Sequence, residues 1–230
     1  NDCDGKIDVN DENLQDGYDF TEDLCTNGQL IHRMIYNNYT ISHGLTFSGD
    51  NLVIDCQGSR LIGNGSIRTE GIALNGKNIT LMNCRIENYS LGIDLIDSTD
   101  FRSYTIINNS ILDNRLGILS FSNLPNTITI SRNDIFNNFY HNLRHEGTSN
   151  LNAENNWWGT NDSVNISNKI FVGSDGSVDF EPYAQIPFFE ENKISDNQTE
   201  NETCTPNWQE GQWGACINGY QTKEIRDINH

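Results

Sequence analysis

The sequence is short of positive charge and of long apolar runs. Only 14 Lys and Arg stand against 32 Asp and Glu, a formal net charge of -18. A polyanionic duplex is repelled by such a field, which excludes nucleic acid as a partner. No apolar run approaches the roughly 20 residues that a membrane-spanning helix needs, so this chain holds no transmembrane segment and any anchor would lie outside it. The six cysteines form no CxxC pair of the kind that holds zinc. The chain opens at Asn1 rather than Met, the form left when a leader has been removed.

The cysteines are Cys3, Cys25, Cys56, Cys84, Cys204 and Cys216. An even number in an acidic, Asn-rich, Lys-poor chain fits disulfides in an oxidising compartment, and so an extracellular or cell-surface location. Nine N-x-S/T sequons point the same way: Asn38, Asn64, Asn78, Asn88, Asn108, Asn161, Asn165, Asn197 and Asn201. Chance alone would place about five among this many Asn, Ser and Thr residues. The acid gathers at the two ends, in residues 1–24 and 175–202. Such stretches form either a solvated surface or a cation site.

A repeat organises the middle of the chain. Segments starting at Asn78, Tyr104, Thr127 and Leu151 align so that Cys84, Asn109, Asn133 and Asn155 share a column, with steps of 25, 24 and 22 residues. Two residues later come Ile86, Ile111, Ile135 and Trp157, and three residues before it stand Leu81, Ile106 and Ile130. Gly71, Gly92 and Gly117, each followed by Ile, make a further column. The apolar residues alternate and β-branched residues abound, which argues for strands rather than helices. The Leu-x-x-Leu-x-Leu frame of leucine-rich repeats is missing. Short strands at this spacing cannot bury a face singly and must stack, so the expected fold is all-β, a right-handed parallel β-helix. Asn tolerates the left-handed backbone of a tight bend, and stacked Asn side chains bond along the ladder.

The succession "LVIDCQGSRLIG", "GIALNGKNITLMNCRIEN", "NNSILDNRLGI" and "NNWWGTND" resembles the NosD-like/PbH1 parallel β-helix proteins of secreted and archaeal surfaces. The resemblance covers roughly residues 1–187. It implies a lead-in strand around Cys3 and Cys25, a closing turn at "NNWWGT" and a final strand at "GSVDFEPY". Residues 1–50 then form the cap and first coil, 51–187 the β-helix, and 188–203 an acidic linker. Residues 204–230 resemble a thrombospondin type 1-like module, in which Trp208, Trp213 and Tyr220 are the candidate interaction residues. A Cys204–Cys216 pairing is expected there. Related modules carry two further cysteines where this chain has Glu210 and Ile225, so another partner for Cys216 stays open. Cys3 is expected to bond Cys25 across the first coil. Cys56 and Cys84, at equivalent corners of adjacent coils, are expected to bond each other, with the extra residues after Cys56 ("QGSRL") bulging outward.

Parallel β-helices also host polysaccharide lyases and hydrolases, which need paired carboxylates in a groove. Asp94, Asp97, Asp100 and Asp113 are candidates by position, though solvated loop acids explain them better, and no polygalacturonase signature accompanies them. His141, Arg144, His145 and Glu146 offer a base and a cation, or else a His serves as a bend residue in the Gly92/Gly117 column. Asp2, Asp4 and Asp11, with Gly5 and Ile7, resemble part of a calcium loop, although no helix pattern follows and the lead-in strand accounts for the same residues. No other cofactor is expected. Trp157 and Trp158 offer a sugar platform, but Trp157 in the core column serves better as a plug at the end of the helix. The leading expectation is a non-enzymatic structural or adhesive surface protein that assembles with its own copies or other surface proteins into a filament or layer. The alternative is a β-helix that binds or degrades glycans.

Overall fold

The computed structural model describes residues 20–26, 29–34, 38–41, 44–96, 102–121, 128–173, 175–189, 208–213 and 223–227. The chain divides into two compact units, Asn1–Glu190 and Glu191–His230.

The first unit is a parallel β-helix of five three-stranded coils. Strand β1 (Phe20–Thr26) folds back antiparallel on β2 (Gln29–Met34), so the first sheet begins with a reversed strand over its edge. β2, β3 (Asn38–Thr40) and β4 (Leu45–Ser48) form the first coil. The second is β5 (Leu52–Asp55), β6 (Arg60–Ile62) and β7 (Glu70–Asn75). The third is β8 (Ile79–Met82), β9 (Arg85–Glu87) and β10 (Leu91–Leu95). The fourth is β11 (Tyr104–Ile107), β12 (Ser110–Leu112) and β13 (Leu116–Ser120). The fifth is β14 (Ile128–Ser131), β15 (Asp134–Phe136) and β16 (His141–His145). A sixth, irregular coil follows: β17 (Asn150–Asn152), a single bridge at Trp157, helix α1 (Ser163–Ser167) and β18 (Ile170–Val172). β19 (Ser177–Asp179) then pairs with β17 at the end of the first sheet.

Equivalent strands stack into three sheets whose inner columns are continuous. Ile54, Leu81, Ile106 and Ile130 stand in the first, Leu61, Ile86, Ile111 and Ile135 in the second, and Ile72, Ile93, Ile118 and Leu143 in the third. All twelve are fully buried at 0% exposure. Each such side chain contributes about 1.5–3 kcal/mol on leaving water. The outward partners on the same strands, such as Thr80 and Thr105, are half-buried. That alternation is the period-two signal of the sequence made physical.

The bends use left-handed backbone. After the first sheet it falls at Gln57, Asn83, Asn108, Arg132 and Asn155, with φ between 50° and 58°. After the second it falls at Asn88, Asp113 and Asn137, with φ between 55° and 62°. Most side chains lose roughly 1–2 kcal/mol in that conformation, a cost Asn and Asp partly recover by local hydrogen bonding. The residue after the first bend is the polar backbone of the fold. Cys84 N donates to Asn109 Oδ1 (2.9 Å), Asn109 N to Asn133 Oδ1 (2.8 Å) and Asn133 N to Asn156 Oδ1 (2.9 Å). A second ladder follows the second bend, with Tyr89 N donating to Asn114 Oδ1 and Asn114 N to Asn138 Oδ1, both at 3.0 Å. These buried carboxamides satisfy corner N–H groups that the strand ladders cannot reach.

The fourth rung is therefore Asn156, and the expected alignment through Asn155 is off by one residue. Asn155 is the exposed bend residue, whereas Asn156 is 0% exposed. The tryptophans shift with it. Trp157 bridges Asp134 and is half-buried, while Trp158, 3% exposed, follows Ile135 into the core. The plug is Trp158, not Trp157. The glycine column continues not to a histidine but to Asn142, because Leu116 pairs with His141 and Ile118 with Leu143. A Cβ on Gly92 would lie 2.6 Å from the carbonyl oxygen of Gly117, and one on Gly117 would collide with that of Asn142.

Cys56 and Cys84 are disulfide-bonded across adjacent coils, with a Cα–Cα separation of 4.9 Å. The intervening insertion is confined to Gln57 and Gly58, both exposed, after which Ser59 turns back with its N–H on Cys56 O (2.8 Å). Cys25 lies in β1, and its expected partner Cys3 is outside the described residues, as are Cys204 and Cys216. In the second unit β20 (Trp208–Trp213) pairs antiparallel with β21 (Lys223–Asp227), Trp208 opposite Asp227 and Trp213 opposite Lys223. Tyr220 lies outside the described residues.

Candidate functional site

The regular coils commit their corner amides to the ladders, and the sixth coil breaks that pattern. Between Trp158 and β18 the chain inserts α1, started by Asp162, whose carboxylate accepts from the N–H groups of Val164 (2.9 Å) and Asn165 (3.3 Å). Ile166 is the buried residue of this helix. The insertion stands off from the corner of the fifth coil and leaves an open cavity of about 570 Å³. Phe136, Phe139 and Trp158 give it apolar surface; Asn137, Asn165, Asn168 and Thr160 give it polar surface. Asn138 and Asn142, at the end of the second ladder, also face it. Asn138 Nδ2 donates to Asn142 Oδ1 at 3.0 Å.

Among the described residues Lys169 is the cation of the cavity, and no carboxylate lines it. Its ammonium donates to the carbonyls of Asn138 and Phe139, both at 3.0 Å. At the mouth Phe139 is 71% and Tyr140 51% exposed. Their rings meet edge to face at 4.8 Å, and Arg115 bonds the Tyr140 hydroxyl (3.0 Å) with its guanidinium 5.5 Å from the ring centre. This aromatic pair is thus held in place from the neighbouring coil.

The expected catalytic groups are not brought together. Asp94 sits mid-strand on the outer face of the third sheet, in register with Ala73 and Leu119. Burial first, then the charge of Glu70, pushes its carboxyl up to about 6. Asp113 is an exposed bend residue; Asp97 and Asp100 lie outside the described residues. His141, Arg144, His145 and Glu146 divide between two faces. His145 points inward at 0% exposure, its Nε2 2.9 Å from Ser149 O and its Nδ1 3.3 Å from Ser120 Oγ. A carbonyl only accepts, so Nε2 donates to it and the imidazole is a structural link. On the outer face Arg144 pairs with Glu146 and lies over Phe171, 4.9 Å from its centre. Burial, then Arg144 and Lys169, hold the His141 imidazole below its ordinary range.

A different carboxylate is engaged near the C-terminal end of the unit. Asp134, 1% exposed, accepts from Phe188 N (2.8 Å) and Phe189 N (3.0 Å). Burial raises its pKa and the two N–H bonds oppose that rise. Arg132 lies 6.0 Å from the Phe188 ring centre, so residues 188 and 189 are strapped onto the fifth coil.

Of the sequons, Asn38, Asn64, Asn78, Asn88, Asn161 and Asn165 are exposed and Asn108 is half-buried; Asn197 and Asn201 lie outside the described residues. Asn64 stands in an exposed loop, its Oδ1 accepting from Ser66 N (2.9 Å). Asn78 and Asn88 donate their amides to Asn51 Oδ1 (2.9 Å) and Gly63 O (2.7 Å). The calcium candidates Asp2, Asp4 and Asp11 also lie outside, and no cluster of three metal-ligating side chains occurs among the described residues. No described helix is long and apolar enough to cross a membrane. No protein family, no curated protein and no solved structure matches the chain.

The cavity escaped sequence reasoning. Its one local signal is Phe139-Tyr140, two aromatics between Asn138 and His141 where the preceding coil has Arg115 alone between Asn114 and Leu116.

Proposed function

We propose that this chain is a non-enzymatic extracellular surface protein, structural or adhesive, whose β-helix acts as a stiff scaffold. The observation that carries this reading is the use of the buried side-chain amides: Asn109, Asn133 and Asn156, with Asn114 and Asn138, tie coil to coil along the stack. The Cys56–Cys84 bond adds a covalent tie of the kind oxidising compartments preserve. The sequons and the likeness to NosD-like/PbH1 surface proteins support the same setting. The thrombospondin type 1-like strands around Trp208 and Trp213 are the contact by which copies join one another or a neighbouring surface protein. A head-to-tail contact of that type propagates into a filament or layer unless it closes.

A second reading, glycan binding without turnover, is favoured by the cavity beneath Phe139. The two are tested together. Sedimentation velocity and electron microscopy of the intact chain should show concentration-dependent assembly that Trp208→Ala with Trp213→Ala abolishes. Assay of the same protein on polysaccharides should release no new reducing or unsaturated ends. A monodisperse monomer at high concentration would remove the assembly reading, and measurable turnover would remove the non-enzymatic one.

A further inference from the structure

We infer that the cavity between the fifth-coil corner and helix α1 binds a neutral sugar residue, with Phe139 as its stacking platform. The inference deepens the adhesive reading and rests on it.

Charge is the first argument. The chain carries 32 Asp and Glu, yet among the described residues no carboxylate lines this cavity. A cationic ligand therefore finds no counter-charge here. Two of the three Lys169 donors are already committed to the carbonyls of Asn138 and Phe139. The remaining one suits a hydroxyl, and an anionic ligand must approach a chain of net charge -18.

Hydrogen bonding is the second. Backbone recognition of a peptide strand needs free N–H and C=O groups, and those at the mouth are taken. Phe139 N bonds Asn114 O and Tyr140 N bonds Arg115 O, both at 2.8 Å. The carbonyls of Asn138 and Phe139 hold Lys169. What remains is side-chain amide and hydroxyl: Asn137 and Asn168, with the Asn165 amide beyond its bond to Asp162 Oδ2 (3.1 Å) and the proton of the Thr160 hydroxyl, whose oxygen accepts from Asp162 N (3.2 Å). Each amide offers donors and an acceptor in one plane, the complement of a ring hydroxyl that both gives and receives.

Shape and aromatic surface are the third. The volume, about 570 Å³, falls within the range of ligand sites, roughly 300–1,000 Å³. Phe139 is 71% exposed, so its phenyl ring is open to a ligand at the cavity. Its orientation is fixed by Tyr140 and, through Tyr140, by Arg115. A flat ring presented beside an amide-rich pocket matches the apolar face and hydroxyl edge of a pyranose.

The test uses the unglycosylated intact chain on an array of neutral and uronate-bearing saccharides, followed by titration calorimetry with the best neutral binder. At least one neutral saccharide should be retained. Phe139→Ala should weaken it tenfold or more with the melting temperature unchanged, and Phe121→Ala, an exposed aromatic elsewhere on the fourth coil, should leave binding unaltered. Retention of no neutral saccharide, retention of uronates alone, or indifference to Phe139→Ala would each overturn the inference. If sugar fails to bind while the intact chain still assembles, only this inference falls. If a bound sugar is cleaved, the site stands and the non-enzymatic reading falls.

Discussion

Asn155 and Asn156 are chemically identical neighbours with different work, and replacing each by alanine separates bend from rung. Asn156 Nδ2 donates to Ile130 O and Ala153 O, both at 2.7 Å, and its Oδ1 accepts from Asn133 N (2.9 Å) and Asn133 Nδ2 (3.0 Å). Asn156→Ala leaves the Asn133 N–H buried without a partner, and one such group costs about 1–3 kcal/mol. With the lost bonds to two carbonyls the expected loss is about 3 kcal/mol or more. Asn155 is exposed at φ 58°, so its alanine variant loses only the left-handed preference, about 1 kcal/mol. In a unit of this size each kcal/mol moves the melting temperature by about 2–4 °C, so the two variants should differ by roughly 4–8 °C or more. Calorimetric melting and urea unfolding followed by far-ultraviolet circular dichroism both read this. Asn155→Gly should be close to neutral, because glycine takes positive φ freely. Equal losses at the two positions, or a larger one at Asn155, would refute the assignment of Asn156 to the ladder.

Asp94 tests the electrostatics: its pKa rises from 3.8 to about 6 on folding, so the folded state binds its proton more tightly and stability from this group grows as pH falls through about 6. Ionisation at neutral pH then costs about 3 kcal/mol by linkage, reduced to about 1–2 kcal/mol for a partly solvated group. Asp94→Asn should therefore stabilise at pH 7.5 and do nothing at pH 3.5; an unchanged melting temperature at pH 7.5 would contradict the burial argument. Removing the disulfide with Cys56→Ala and Cys84→Ala opens a sequence separation of 28 and should cost about 3–4 kcal/mol, read by the same melts. Asp134→Asn can accept only one of the two N–H bonds, so hydrogen exchange at Phe188 or Phe189 should accelerate about tenfold. Glycopeptide mapping of natively produced protein should find Asn64 occupied more fully than Asn78 or Asn88, whose amides are engaged; the reverse order would show that folded geometry does not govern occupancy.

The fold was legible because a stack repeats its physics in every coil. Leu81, Ile106 and Ile130 share one chemistry and one column, and Cys56 met Cys84 because equivalent corners are neighbours. The fourth repeat was misread because "NNWW" offers two asparagines and two tryptophans in either register. The deciding signal lay three residues upstream. The inward column continues to Ala153, buried at 0%, which sets the rung at Asn156; Asn152, the alternative, is polar and exposed. The histidine misplacement has the same origin, since Asn142-Leu143 takes the place that Gly-Ile holds in the earlier coils. The candidate acids were unreadable for another reason. Whether Asp94 and Asp113 meet depends on which side of a strand or bend each occupies, and both are ordinary surface residues in isolation.

The place of the cavity follows from the same logic. A regular coil has no room for a ligand in its interior or among its corner amides, because its inner side chains fill the core and those amides bond neighbouring coils. Altering one corner in the middle of the stack would orphan a buried N–H on its neighbour, as at Asn109 or Asn133. Among the described residues no further coil follows at the second and third sheets to need the amides of the last one. The second ladder stops at Asn138 and Asn142, the helix Ser163–Ser167 is inserted at the corner between the Trp157 bridge and β18, and Asn165 and Asn168 on that insertion are exposed and line the cavity. A stack can therefore acquire a binding site at its end without weakening its middle. Sequence change at Asn137, Phe139, Thr160, Asn165 and Asn168, with the ladder residue Asn138 and the buried Ile166 kept, would be expected to alter what is bound while leaving the helix intact.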